Sequence, residues 1–440
     1  MVMHFLRSVQ QPQTLVLWLL LLVLSLNAHA QKRKGMRVEQ PPPECDNSVF
    51  LPTIRSPQLY RDQNQLSYPI LEMGKAGQLH LHFDELATDI RQFTVRIVHC
   101  TPDWRASSLL PMDYYQGFID SPLREAQVAR NTLIPYIHYH YSFPQAGEQF
   151  LHSGNYVIQV RTADRAEQLV LARRFVVAEP LVRIAPDLGL SPNVGGRRML
   201  QSVNFNVFPG SLNLNDAFSD TRVCVLQNFR WDTRRCNLRP TYIYPERLEF
   251  RFDAANDFPG GNEYRFFDLR NVQRMGGRLR QLALTDSGTF AQLEVDKPRG
   301  SKVYFSEPDF NGNFFIGLRQ LSGTELESDY VYVRFLLESK MPVPIGGVYV
   351  FGGLSDWKVD PRFRLHYDPQ GYYFRDIQLK QGIYNYHFVV DDPSFKSLDE
   401  THFEGSHFET ENTYTFLIYL KSPADREHRI VGFHHINYYE

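Results

Sequence analysis

The chain has 440 residues, 47 of them basic and 49 acidic, for a formal net charge of -2. That balance argues against nucleic-acid binding, which needs a basic surface for phosphates, and against simple electrostatic docking on an anionic membrane. The mean hydropathy of -0.37 argues against direct membrane insertion, while 43% hydrophobic residues supply enough material for more than one core.

Residues 1–30 read as a cleaved signal peptide. His4 and Arg7 precede an apolar run from Leu15 to Leu26, too short to span a bilayer, and Ala28-His29-Ala30 places small residues where a signal peptidase reads. Residues 31–47 are basic and proline-rich, ending in Pro41-Pro42-Pro43, and read as a flexible linker.

The first module is placed at 48–180. Leu79, Leu81 and Phe83 alternate with Gln78, His80 and His82, and Ile137, Tyr139, Tyr141 and Phe143 alternate with Tyr136, His138, His140 and Ser142. A period of two marks strands buried on one face. Between strands lies a loop carrying Trp104, Tyr114, Tyr115 and Phe118. These aromatics either form an exposed protein-binding cluster or fold back as a lid on their own sandwich. The four are candidate interface residues.

Pro180, Pro186, Pro192-Asn193 and Gly195-Gly196 mark a boundary, and a central β module is placed at 181–344. Cys224 and Cys236 are symmetric about Arg230, so a hairpin turning there would bring them opposite each other as a candidate disulfide. Pairing of Cys45 with Cys100, or four free thiols, remain open. Pro342, Pro344 and Gly346-Gly347 precede a third module at 345–440, in which Tyr384, Tyr386, Phe388 and Val390 form one face and Tyr414, Phe416, Ile418 and Leu420 point inward. Short alternating strands with frequent turn residues give an all-β chain of two or three consecutive immunoglobulin-like or early-set β-sandwich modules.

The chemistry-bearing residues weigh against an enzyme. No G-x-S-x-G occurs, and the Gly pairs lack a following helix. Glu263 with Asp268, and Asp391 with Asp392, read as turn or surface carboxylates. Asp309-Phe310-Asn311-Gly312-Asn313 has its glycine too early for a calcium loop and reads as a hairpin turn. A zinc set of His99, Cys100, His138 and His140 lacks compact ligand motifs, so the histidines read as structural, with no metal and no cofactor expected. In the third module Trp357, with Phe351 and Tyr373, is either a glycan-stacking platform or core.

An ordered series of residues carries a resemblance along nearly the whole chain. It includes His99-Cys100, Asp103-Trp104, Ser107, Tyr115-Gln116-Gly117-Phe118, Asn131-Thr132-Leu133, Tyr136, His138-Tyr139 and Phe143-Pro144. It continues with Gln227-Asn228, Arg230-Trp231-Asp232, Gly261-Asn262-Glu263, Arg265, Asn311-Gly312, Asp356-Trp357, Glu404-Gly405-Ser406-His407 and Thr410-Glu411-Asn412. The series resembles the plug protein family of the type IX secretion system. The resemblance implies a non-enzymatic periplasmic protein that binds the outer-membrane translocon β-barrel and closes its periplasmic opening. The alternative is a periplasmic carbohydrate-binding protein using the third module.

Overall fold

The computed structural model describes residues 41–212, 217–251, 254–319, 325–395 and 397–438. The expected signal peptide and residues 31–40 of the expected linker lie outside them. The chain is all-β, built from mostly antiparallel sheets packed in pairs, with parallel pairing of Ile70–Glu72 to Leu169–Ala178 and of Gly288–Leu293 to Tyr330–Glu338. No helix among the described residues is long and apolar enough to cross a membrane.

In the first sandwich one sheet runs Ser48–Val49, Leu169–Ala178, Gly154–Thr162, Phe93–Cys100, Asp120–Leu123. The facing sheet runs Ile54–Arg61, Leu79–Glu85, Ile137–Phe143, Glu125–Val128. The alternation seen in sequence becomes the core: Leu79, Leu81, Phe83, Ile137, Tyr139, Tyr141 and Phe143 pack against Val95, Ile97, Tyr156 and Phe175. Each such side chain contributes about 1.5–3 kcal/mol by leaving water. Gly154–Thr162 and Leu169–Ala178 are instead buried on both faces. Leu169–Ala178 is apolar apart from Arg173 and Arg174, which fits a strand covered on two sides, and what covers this sheet is a second sandwich.

That second sandwich departs from the consecutive modules expected. Its sheets are Arg183–Leu190, Leu200–Phe208, Leu248–Phe250, Tyr242–Ile243, and Arg235–Leu238, Thr221–Gln227, Thr413–Leu420, Arg429–Asn437. Thr221–Gln227 pairs with Thr413–Leu420 in unbroken antiparallel register, Thr221 opposite Leu420 and Gln227 opposite Tyr414. Residues 413–437, expected in the third module, therefore close the second. The third sandwich lies between its halves: Arg265–Asp268, Gly382–Asp391, Phe314–Ile316 and Gly347–Phe351 face a sheet of Leu279–Thr285, Gly288–Leu293, Tyr330–Glu338, Tyr372–Lys380 and His366–Asp368. The proline- and glycine-rich stretch near 342–347 is thus a loop inside one sandwich rather than a boundary. Turn chemistry is the same in both settings, so local sequence does not separate them.

The end of the expected linker is also tied down. Cys45 is buried, its carbonyl accepts from Arg174 Nε at 2.9 Å, and Asp46 pairs with Arg174 at 3.0 Å and Lys358 at 2.9 Å. Cys224 and Cys236 sit opposite each other on adjacent strands and are disulfide-bonded, whereas Cys45 and Cys100 are free and buried. The bridge closes a short loop, separation 12. Replacing both cysteines with serine is expected to cost about 2–3 kcal/mol by releasing loop entropy in the unfolded chain. Urea midpoints of the two forms check this, and equal midpoints would contradict it.

Candidate functional site

The loop between Phe93–Cys100 and Asp120–Leu123 divides its aromatic residues between inside and outside. Pro111–Tyr114 forms one helical turn, opened by Pro111 and by Asp113, whose Oδ2 accepts from Leu110 N at 3.0 Å. Tyr114 is buried and its hydroxyl donates to the Ile97 carbonyl at 3.1 Å. Tyr115 is buried and donates to Glu148 Oε2 at 2.7 Å. The exposed aromatic cluster is therefore corrected for three of its four members, because Trp104, Tyr114 and Tyr115 are all buried. Phe118 alone is exposed, at 78%, and the pinned loop also displays Met112 at 75% and Leu110 at 56%. Composition could not separate these groups, since all are large and apolar. Behind them, Ser108 donates to Glu427 Oε1 at 2.9 Å and Arg426 pairs with Asp113 at 3.1 Å, fastening the loop to the C-terminal hairpin.

Trp104 lies between the first and second sandwiches. Its cluster joins Val157, Ala172 and Val176 of the first to Cys224, Leu226, Leu417 and Tyr419 of the second. Trp231 meets it edge-on at 4.6 Å, and the Arg174 guanidinium sits over its ring at 4.3 Å. Burial lowers the Arg174 pKa to about 10 against the opposing pull of Asp46. Tyr419 donates to Asn155 Oδ1 at 2.9 Å across the same joint.

Trp357 occupies the corresponding place between the second and third sandwiches. The Arg230 guanidinium covers its ring at 4.5 Å, and Arg230 is held by both oxygens of Glu400, each at 2.7 Å, and by Asp232 at 2.6 Å. Burial works against the Arg230 charge, but Glu400 and Asp232 outweigh it and raise its pKa. Gly312, at φ +80°, lies so close that an added Cβ would fall 2.2 Å from the Trp357 ring, which explains a glycine there. Phe351 and Tyr373 are buried, and Val343 N donates to the Tyr373 hydroxyl at 2.6 Å. The three aromatics proposed for glycan stacking therefore form no open platform: two are core residues and the third carries an arginine. Asp309 beside this turn accepts backbone N–H groups from Tyr264 and Asn311, as a turn residue does.

A third joint links the first and third sandwiches. Asp84, buried, accepts from Tyr330 at 2.7 Å, from His138 Nδ1 at 2.7 Å and from Lys380 Nζ at 2.6 Å. Burial pushes this carboxyl up, but Lys380 and His138 outweigh it. Inside the third sandwich and its entry loops, Arg265 bridges Asp296 at 2.8 Å and Glu404 at 3.0 Å, and Arg299 reaches Glu404 at 2.7 Å. Residues that carry the resemblance meet at joints, Trp104 with Trp231 and Arg230 with Trp357, and also within single sandwiches, Arg265 with Glu404 and Asn228 with Asn412 at 2.8 Å. The weighed zinc set is not assembled, because His99 lies on the other sheet, with its ring against Tyr156 at 4.9 Å.

Residues 54–179 match the family model described as "Type 9 secretion system plug protein 1st domain". The matched span begins with the strand Ile54–Arg61 and ends just past Leu169–Ala178, which delimits most of the first sandwich. Over the longer chain, a crystal structure of a hypothetical protein from Parabacteroides merdae ATCC 43184 is similar, with a TM-score of 0.85 and 26% identity, covering 89% of this chain and 99% of that one. No curated protein matches.

Proposed function

From a chain that carries over residues 54–179 the first domain of the type 9 secretion system plug family, we propose a non-enzymatic periplasmic plug that binds the outer-membrane translocon β-barrel and closes its periplasmic opening when no cargo passes. A role related to type IX secretion follows from the domain itself, whose family is a secretion-system plug and not an enzyme family. The finer reading rests chiefly on one observation. The first sandwich holds Leu110, Met112 and Phe118 outward on a loop pinned by buried tyrosines.

A plug needs stiffness together with a releasable contact. A pore wide enough for folded cargo leaks when idle unless a body that resists deformation covers it. Three sandwiches locked by buried ion pairs and aromatic joints form such a body, since close-packed interiors yield little. Cargo passage requires the plug to leave. A small apolar patch with a polar rim suits that better than an obligate, core-like interface.

The test is affinity purification of the tagged mature chain from membranes of its own organism in mild detergent, with cross-linking. Wild type is expected to retain one very large outer-membrane β-barrel. The double substitution Met112→Asp and Phe118→Asp is expected to lose it at unchanged unfolding midpoint, while Phe305→Asp, exposed elsewhere, retains it. Recovery without a barrel would sink the proposal. Full retention by the double variant would move the contact to another face.

A further inference from the structure

Four histidines share the outer face of one sheet of the first sandwich. Pairing of Leu79–Glu85 with Ile137–Phe143 sets His82 opposite His140 and Asp84 opposite His138. Residues two apart lie on one face, so His80, His82, His138 and His140 form a block, with the His82 and His140 rings stacked at 4.3 Å. Two of them are oriented by carboxylates: His138 Nδ1 lies 2.7 Å from Asp84, and His140 Nδ1 lies 2.8 Å from Glu125. A neutral imidazole held this way keeps its proton on Nδ1 and turns the Nε2 lone pair away, the outer support found behind metal-ligating histidines.

The lone pair of His138 meets two further ligand atoms. His138 Nε2 is 3.1 Å from His82 Nδ1 and 3.6 Å from Glu325 Oε2, and His82 Nδ1 is 3.5 Å from the same oxygen. For zinc, with bonds of roughly 2.0–2.1 Å, the edges of the ligand tetrahedron are about 3.3–3.4 Å. The three measured separations bracket that value. Glu325 is held ready, since its other oxygen accepts from Gln65 Nε2 at 2.9 Å. The His82 and His138 side chains are 15% and 11% exposed and Glu325 is 31% exposed, which leaves a path for an ion and for a water as fourth ligand.

We propose that His82, His138 and Glu325 bind a divalent first-row cation, with zinc the best match to a two-histidine, one-carboxylate set. Glu325 lies on the turn leading into Tyr330–Glu338 of the third sandwich, whereas both histidines belong to the first. The ion therefore acts as a clip across the joint centred on Asp84. His80 and His140, 3.2 Å apart, form a neighbouring set with His82, which the test separates.

The full mature chain, prepared without a polyhistidine tag and stripped by chelator, is dialysed against Zn²⁺ alone. The expected result is one retained equivalent and a higher unfolding midpoint. Glu325→Gln and His82→Gln should weaken retention roughly tenfold or more. Glu327→Gln, on the same turn but bonded to Asn131, should leave it unchanged. Cobalt substituted for zinc should give the intense visible absorption of a four-coordinate site. No retention at micromolar free zinc overturns the proposal. So does retention that survives Glu325→Gln but is lost in His140→Gln, because the ion would then sit in the other set. Glu325→Gln is part-exposed, and its metal-free midpoint should match wild type, so lost binding is not lost folding.

Discussion

Replacing Trp104 with alanine is expected to destabilise the protein by about 3–5 kcal/mol, the usual cost of emptying a site filled by a large aromatic ring. Total stabilities of folded domains are only about 5–15 kcal/mol, so the effect should be visible as a large fall in the urea midpoint. Two features place this site at the upper end. The ring is fully buried where two sandwiches meet, so the void cannot collapse without parting sheets that also pair through Tyr419 and Asn155. Its loss also strips the buried Arg174 guanidinium of the surface it lies on. Trp104→Phe retains a π face and should cost markedly less. If Trp104→Ala changed the midpoint no more than an exposed substitution such as Phe118→Ala, the joint would not be a source of stability.

The second large effect is expected at Glu404. This buried carboxylate binds Arg265 and Arg299 and also accepts from Phe388 N at 3.0 Å. Glu404→Gln leaves two arginines facing a neutral amide, and breaking a buried pair by removing one partner costs about 3–5 kcal/mol. The pH dependence follows from the same contacts. Burial raises the Glu404 pKa, but Arg265 and Arg299 overcome it and hold the carboxyl at about 2, against an ordinary 4.5. Glu400, opposite Arg230, is likewise held at about 2. A folded pKa below the unfolded one means the stabilisation is present in full above pH 4.5 and is lost as pH falls from there towards 2. Unfolding free energy measured between pH 7 and pH 3 should therefore drop on the acid side in wild type, and drop less steeply in Glu404→Gln. Parallel curves would contradict the assignment.

Much of the first sandwich was legible from alternation alone. Ile137, Tyr139, Tyr141 and Phe143 enter the core as their period requires, and so do Leu79, Leu81 and Phe83. Tyr414, Phe416, Ile418 and Leu420 point inward as read, but into the second sandwich rather than the third. A strand's inward face is written in its own residues, whereas its partner is decided by contacts some two hundred positions away, here Gln227 with Tyr414. The joints were hidden for a related reason. Trp104, Trp231 and Trp357 look alike in sequence, and an arginine covering a ring, as Arg230 covers Trp357, leaves no periodic trace. The mostly apolar run at 169–178, broken only by Arg173 and Arg174, was the available sign that a second layer covers that sheet. The histidine block was half legible. Alternation placed each pair on the outer face of its strand, but only the register brings His82 to His140, and only the third sandwich brings Glu325.

The central claim is closure of a secretion pore, and outer-membrane permeability tests it most directly. In the organism that makes this protein, deleting its gene is expected to sensitise cells to large antibiotics that an intact outer membrane excludes. Restoring the wild-type chain should reverse this, and the Met112→Asp, Phe118→Asp chain should not. Unchanged exclusion of such antibiotics in the deletion strain, with the translocon barrel present at its normal level, would contradict the plug.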